Sequence, residues 1–262
     1  MNFKLGSISG LRESLHRWLL RLRSARPDGA WVPHPQLTPD FMKRKRHEYK
    51  AVWTELASTD ELARLNVLGA VDEDRVRATA EETLQWLEAS VGIKPDDVIL
   101  DIGCGIGRVG QVVAPKCKHW IGCDVSPNML KFARQRLASF DNVSFVEISG
   151  FDLRPILDTS VDLVYCTVVF MHLDEWDRYN YVLEAYRVLR PGGRIFVDNF
   201  NLCTDEGWQV FETHRRLTLE QRGPSISKSS TPQEITAYLQ RAGFRDIKIK
   251  ERQTWLQVHG VK

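Results

Sequence analysis

The sequence predicts an α/β protein: a mostly parallel sheet with helices on both faces, closed by an antiparallel hairpin and preceded by a helical extension. Three observations carry this. Five short apolar runs alternate with helical patterns between residues 98 and 197. Two strand-like segments, near Asp246–Lys250 and Trp255–Val258, then follow each other with no helix between them. The first 40 residues stand apart, as a basic segment with one amphipathic helical pattern.

Taken in order, Leu11, Leu15, Trp18, Leu19 and Leu22 fall at helical spacing, with Arg12, Arg17, Arg21 and Arg23 between them. Arg26-Pro27-Asp28-Gly29 breaks that helix. Pro33, Pro35 and Pro39 keep the chain extended until a second helix begins near Asp40. The run Lys43–Arg46 on it reads as a solvated face. Asp72 caps a helix through Val76, Ala80, Thr83, Leu84 and Leu87, which ends before Gly92.

The apolar runs are Val98–Leu100, Trp120–Cys123, Val143–Val146, Val161–Cys166 and Arg194–Val197. Helices are expected near 107–114, at 127–138 and at 175–189. Thr231-Pro232-Gln233-Glu234 is an N-cap with proline at the first helical position and a capping glutamate, and Gly243 stops that helix. With the terminal pair this makes seven strands.

Composition excludes several classes. The 262 residues are 43% hydrophobic and 27% charged, ordinary for a globular chain. No apolar run approaches the roughly 18 residues that cross a bilayer, and no secretory signal opens the chain, so a cytoplasmic location is expected. The five cysteines show no paired or zinc-like spacing and read as reduced thiols, with no metal site. Residues 1–50 hold 11 Lys/Arg against 4 Asp/Glu, whereas the other 212 hold 25 against 30. The body therefore offers no broad basic face, and nucleic acid is not an expected partner.

The chemistry gathers after the first strand. Asp101-Ile102-Gly103-Cys104-Gly105-Ile106-Gly107 places an acid at a strand end, then three glycines at alternate positions. Glycine permits positive φ and lets a ligand approach the backbone. Free N–H groups are expected near 105–108, at the start of the next helix. Gly105–Gly110 also fits the dinucleotide pattern G-x-G-x-x-G, so a nicotinamide-dinucleotide protein is one reading. In that family, however, no acid leads the turn, and the fold has no closing hairpin. Asp124, at the next strand end, can accept a pair of ribose hydroxyls. Met129, in the first turn of the helix opened by Ser126-Pro127, can cover an adenine face.

From VILDIGCGIGR (98–108) through WIGCDVSPNML (120–130), SVDLVYCTVVFMHL (160–173) and VLRPGGRIFV (188–197), the chain resembles the class I S-adenosylmethionine-dependent methyltransferases, in particular the broad bacterial small-molecule group. AGFRDIKI and WLQVHGVK resemble that fold's closing antiparallel pair. The resemblance implies a doubly wound, Rossmann-like seven-stranded sheet, S-adenosylmethionine as cofactor and S-adenosylhomocysteine as product. It implies a cofactor site of Asp101, Gly103, Cys104, Gly105 and Gly107 at the methionine end, with Asp124, Val125 and Met129 at the ribose and adenine. After the third strand, many members have an aspartate that contacts the adenine amine. Here Ser149 stands at that place, so the contact falls to Ser149 or to the backbone of Gly150 and Phe151. Thr167 and Val168 fall where the family's backbone reaches the cofactor's amino-acid end.

Methyl transfer to a hydroxyl or protonated amine needs a base, and His172, following the fourth strand, is the candidate. Acceptor-pocket candidates are Tyr49 and Trp53 on the helix before the domain, Asp198, Asn199 and Asn201 after the fifth strand, and Trp176, Trp208, Phe211 and His214 around them. The family's Asn/Asp/Ser-Pro-Pro-aromatic motif of base and glutamine amino-methylation is absent, since Cys166-Thr167-Val168-Val169 stands in its place. The expected acceptor is a small molecule, methylated on oxygen or nitrogen. The expected organisation is a basic extension (1–40), a helical lid or linker (41–71) and a catalytic domain (72–262). The helix at 11–23 suits an anionic membrane surface or a partner, although packing on the body or on a twofold mate is favoured. A non-catalytic cofactor-binding or scaffold protein with the same fold is the alternative.

Overall fold

The computed structural model describes residues 48–69, 71–219, 221–223 and 225–262. The expectations for the basic helix at 11–23, the proline segment and the Lys43–Arg46 run lie outside the described residues.

Among the described residues, three helices precede the sheet: α1 (Tyr49–Leu56), α2 (Asp60–Leu68) and α3 (Glu73–Ser90). Thr59 caps α2 by accepting the Leu62 N–H, and Asp72 caps α3 through Arg75 N–H. Each cap satisfies an amide that the helix itself leaves without a partner.

Next come β1 (Val98–Ile102), the four-residue α4 (Gly110–Val113), β2 (His119–Asp124), α5 (Pro127–Arg136) and β3 (Val143–Glu147). Then follow β4 (Val161–Cys166), α6 (Glu175–Val188), β5 (Leu189–Asn201) and α7 (Asp205–Arg215). The chain ends with β6 (Ser229–Ser230), α8 (Pro232–Ala242), β7 (Arg245–Arg252) and β8 (Trp255–Val261).

The sheet order is β3-β2-β1-β4-β5-β8-β7, with the two-residue β6 alongside the end of β5. All pairs are parallel except β5–β8 and β7–β8, so β8 alone runs against the rest. This is the doubly wound sheet with a closing hairpin that the sequence predicts.

Alternation along the strands divides the core into two layers. Leu100, Ile102, Val164, Cys166, Ile195 and Val197 pack with Tyr181, Val182 and Ala185 of α6 and Ile235 and Leu239 of α8. Ile99, Leu163, Tyr165 and Phe196 pack on the other face with Leu87, Val113 and Leu130. Each fully buried Val, Leu, Ile or Phe among them contributes about 1.5–3 kcal/mol.

β5 is longer than the run Arg194–Val197 suggested. Its start, Leu189, pairs with Val161, and the register then shifts so that Leu163 meets Arg194. Pro191-Gly192-Gly193 is the bulge between these pairings rather than the end of the strand. Arg178 ties the far end together: Nε donates to the Phe170 carbonyl (2.8 Å), and Nη1 to Ser230 Oγ (2.7 Å) and Glu234 Oε1 (2.9 Å). β7 is the outermost strand on its side and is largely exposed.

Candidate functional site

A cleft of about 870 Å³, counting its open mouth, lies over the C-terminal ends of β1, β2 and β4, with α1 and α2 across it. Doubly wound sheets bind ligands at this edge, where the strand order reverses.

The glycine turn forms one wall. Gly103 and Cys104 donate their N–H groups to the Cys123 carbonyl (2.8 and 2.9 Å), tying the turn to β2. Gly103, Gly105 and Gly107 all have positive φ (74°, 53° and 76°). At Gly103 a side chain is also sterically barred, because a Cβ would lie 2.3 Å from Val169 Cγ2. Gly105 faces Val67 of α2, whereas Gly107 faces Ala133 of α5 and Leu137 just past its end and does not line the cleft.

The expected free amides at 105–108 need correction at Gly105 and Gly107. Gly105 N–H is donated to Asp124 Oδ2 (2.9 Å), Gly107 N–H goes to the Cys104 carbonyl, and the helix begins only at Gly110.

Two acids border the cleft. Asp101 accepts the Tyr165 hydroxyl (2.8 Å), which itself accepts the Trp120 indole N–H (2.9 Å). The other Asp101 oxygen takes no hydrogen bond from a described residue. Burial pushes the Asp101 pKa up to about 7, against the pull of the Tyr165 bond and of Arg108. Asp124 accepts Gly105 N–H and, at Oδ1, Ser126 N–H (2.9 Å); burial outweighs these bonds and raises it to about 6. Both carboxylates are thus solvated by protein on one side, and an ammonium or hydroxyl donor in the cleft would favour their ionised forms. Arg108 lines the cleft too, but is itself buried, donating to Thr83 Oγ1 at 3.2 Å.

Of the residues expected at the cofactor, Asp101, Gly103, Cys104, Gly105, Asp124, Val125, Met129, Gly150, Thr167 and Val168 line this one cleft. Ser149 does not: its hydroxyl accepts the Phe151 and Asp152 amides (both 3.1 Å) and donates to Asp152 Oδ1. Phe151 is 40% exposed and lies against the Tyr49 ring rather than in the cleft.

His172 stands in a 3₁₀ turn (Phe170–His172) and lines the cleft, edge-on to the Trp53 ring at 4.7 Å between centroids. Tyr49 and Trp53 line it as well. Tyr49 Oη donates to Asp177 Oδ2 (2.7 Å) and accepts Asp174 N–H (3.2 Å), which fastens α1 to the start of α6.

The other acceptor candidates lie elsewhere. Trp176 is 74% exposed, and Trp208 packs on Phe211 at the surface. His214 on α7 has its pKa lowered by burial, and Asn199 is buried with Nδ2 on Ser230 Oγ (2.7 Å). Sequence reasoning missed Asn66 and Val67 on α2, Arg108, Ile148, Val169 and Tyr181. Arg108 directly follows the glycine motif, the one signal that could have found it.

Residues 100–197 match a family described as a methyltransferase domain. The chain is 26% identical over 177 residues to a phosphoethanolamine N-methyltransferase of Zea mays, covering 66% of this chain and 33% of that protein. It is 34% identical over 178 residues to a methyltransferase of Streptomyces halstedii, covering 63% and 58%, and 31% identical over 138 residues to the demethylmenaquinone methyltransferase of Tropheryma whipplei, covering 52% and 56%. The chain thus spans between a third and three fifths of these relatives' lengths. A solved S-adenosylmethionine-dependent methyltransferase from Mesorhizobium loti superposes with a TM-score of 0.56 at 17% identity, covering 71% of this chain and all of that one. A Thermotoga maritima methyltransferase structure gives 0.57 at 19%, covering 71% and 91%.

Proposed function

We propose that the chain methylates an oxygen or nitrogen of a small-molecule acceptor, on the premise that residues 100–197 match a methyltransferase-domain family and that the fold is shared with solved S-adenosylmethionine-dependent methyltransferases. One observation carries the reading: a single cleft brings together Asp101 with the glycine turn that follows it, Asp124 and His172, from three separate stretches of chain.

The donor set fits the cofactor. Asp101 offers a carboxylate to its ammonium, and Asp124, already anchored by two backbone amides, offers one to the ribose hydroxyls. Val125, Met129 and Ile148 supply an apolar wall of the kind an adenine ring packs on. When bound, S-adenosylmethionine supplies a methyl carbon activated by a positive sulfonium. The protein then has to align the acceptor, exclude water and take up a proton where the acceptor carries one. Trp53 and Tyr49 shield the mouth of the cleft, and His172 beside them holds the released proton on its ring.

The walls of the cleft support this acceptor class. Among the described residues lining the cleft, Arg108 is the only Lys or Arg, and it lies behind the glycine turn. Trp53, Tyr49, Val169 and Leu173 instead favour an uncharged, partly apolar acceptor.

Titration calorimetry with S-adenosylhomocysteine should give saturable binding, and its absence would sink the reading. Against a panel of apolar alcohols, phenols and amines with methyl-labelled cofactor, His172→Ala should lower turnover by about 100-fold or more with cofactor affinity nearly unchanged. A small effect on rate would make His172 a wall residue.

A further inference from the structure

Val168 is held in a conformation that valine avoids. Its φ is +62°, in the left-handed region, where a β-branched side chain is strained. It nevertheless stands at the centre of the site. Thr167 and Val168 line the cleft, and the next residue, Val169, lies directly over Gly103. The turn therefore joins the end of β4 to the glycine turn after β1, and both its neighbours depend on its backbone angle.

What holds the angle is on the adjacent strand. Val168 N–H donates to Asp198 Oδ1 at 2.7 Å, the length of a hydrogen bond to a charged acceptor. Asp198 is 2% exposed and comes from β5, where no cleft-lining residue is found among those described. It is placed by register: Tyr165 pairs with Phe196, so Asp198, two residues on, projects from the same sheet face as Tyr165 and Asp101. Its second oxygen has no partner among the described residues, nor has either amide atom of Gln257, the residue opposite it on β8. A buried carboxylate so sparsely bonded is costly to keep, and the one hydrogen bond it accepts goes to the strained residue. Burial raises the Asp198 pKa to about 7, against the pull of the Val168 bond and of buried Arg108.

We propose that Asp198 is a positioning residue for the cofactor: its carboxylate clamps the Val168 amide, keeping Thr167 and Val168 in the cleft and Val169 over Gly103. Without it, Val168 relaxes to negative φ and both segments leave their places. The proposal rests on the cofactor reading above and adds to it a residue outside the cleft.

The test uses S-adenosylhomocysteine titrated into the full-length chain. Asp198→Ala should weaken binding by about tenfold or more, the consequence of removing a charged partner from a buried amide. Adding Val168→Gly should restore affinity to within about threefold of wild type, because glycine adopts positive φ unaided. Wild-type affinity in D198A, or no recovery in the double variant, would overturn the proposal. Should D198A fail to fold, the same step is made in the V168G background, where a loss of about tenfold or more would overturn it. If wild-type protein binds no S-adenosylhomocysteine, the cofactor reading fails instead. The clamp then stands or falls on the Val168 amide, which should exchange with solvent faster in D198A than in wild type.

Discussion

Replacing Asp101 by Asn should make the protein more stable and less able to bind its cofactor. The side chain keeps its shape, and its oxygen can still accept the Tyr165 hydroxyl. What is lost is a charge that burial disfavours, since the folded protein raises this carboxyl from 3.8 to about 7. That difference corresponds to up to about 4 kcal/mol. The folded state holds the proton more tightly than the unfolded chain, so wild-type stability falls as pH rises from about 4 to about 7. D101N escapes that loss. The two proteins should therefore melt together near pH 4, and D101N should gain steadily to pH 8. For a chain of this size the ceiling is on the order of 10 °C. Thermal melts of cofactor-free protein at half-unit pH intervals measure the gap, and calorimetry with S-adenosylhomocysteine at pH 8 measures the accompanying loss of affinity, about tenfold or more for a missing charge partner. A variant that melts below wild type at pH 8, or a gap independent of pH, would refute the reasoning.

The same two acids set a pH dependence of binding. Asp101 and Asp124, at about 7 and about 6, must both be ionised to meet an ammonium and ribose hydroxyls. The dissociation constant should then rise as pH falls from 8 to 5.5, by about tenfold or more, and a flat profile would remove the acids from the site. Arg178→Met should cost about 3–5 kcal/mol in chemical denaturation, because Glu234 loses its buried partner and the Phe170 carbonyl and Ser230 hydroxyl lose their donor. A loss under about 1 kcal/mol would mean that those groups find other partners.

The strands and caps were legible because their causes are local. Val98–Leu100 and Val161–Cys166 are apolar runs of strand length, and Asp72, Ser126 and Thr231 each accept the amide three residues on, as their positions before a helix implied. The cleft's floor was legible for the same reason, since acids at strand ends and a glycine turn follow from strand boundaries alone. Residues whose placement depends on rotation or on distant partners were not. Trp176 and inward-facing Arg178 are two positions apart, about 200° around α6, so Trp176 faces out. Ser149 was taken by its own loop, in the local turn chemistry that serine favours. β6 has two serines and no apolar pattern, and it exists because β5 runs on past its apolar stretch. Asp198 gives no sign in sequence that its carboxylate accepts an amide thirty residues away.

The outermost strand, β7, bears on how this chain behaves in a crowded solution. No described strand pairs with its outer edge, a row of backbone donors and acceptors that another strand could join, the usual route to aggregation. Arg245, Lys248, Lys250 and Arg252 lie along it, and all but the last are exposed. A second copy approaching edge to edge would bring its own row of cations against them. The sheet can thus end in an open strand without growing further, and neutralising those charges should cost solubility before it costs fold.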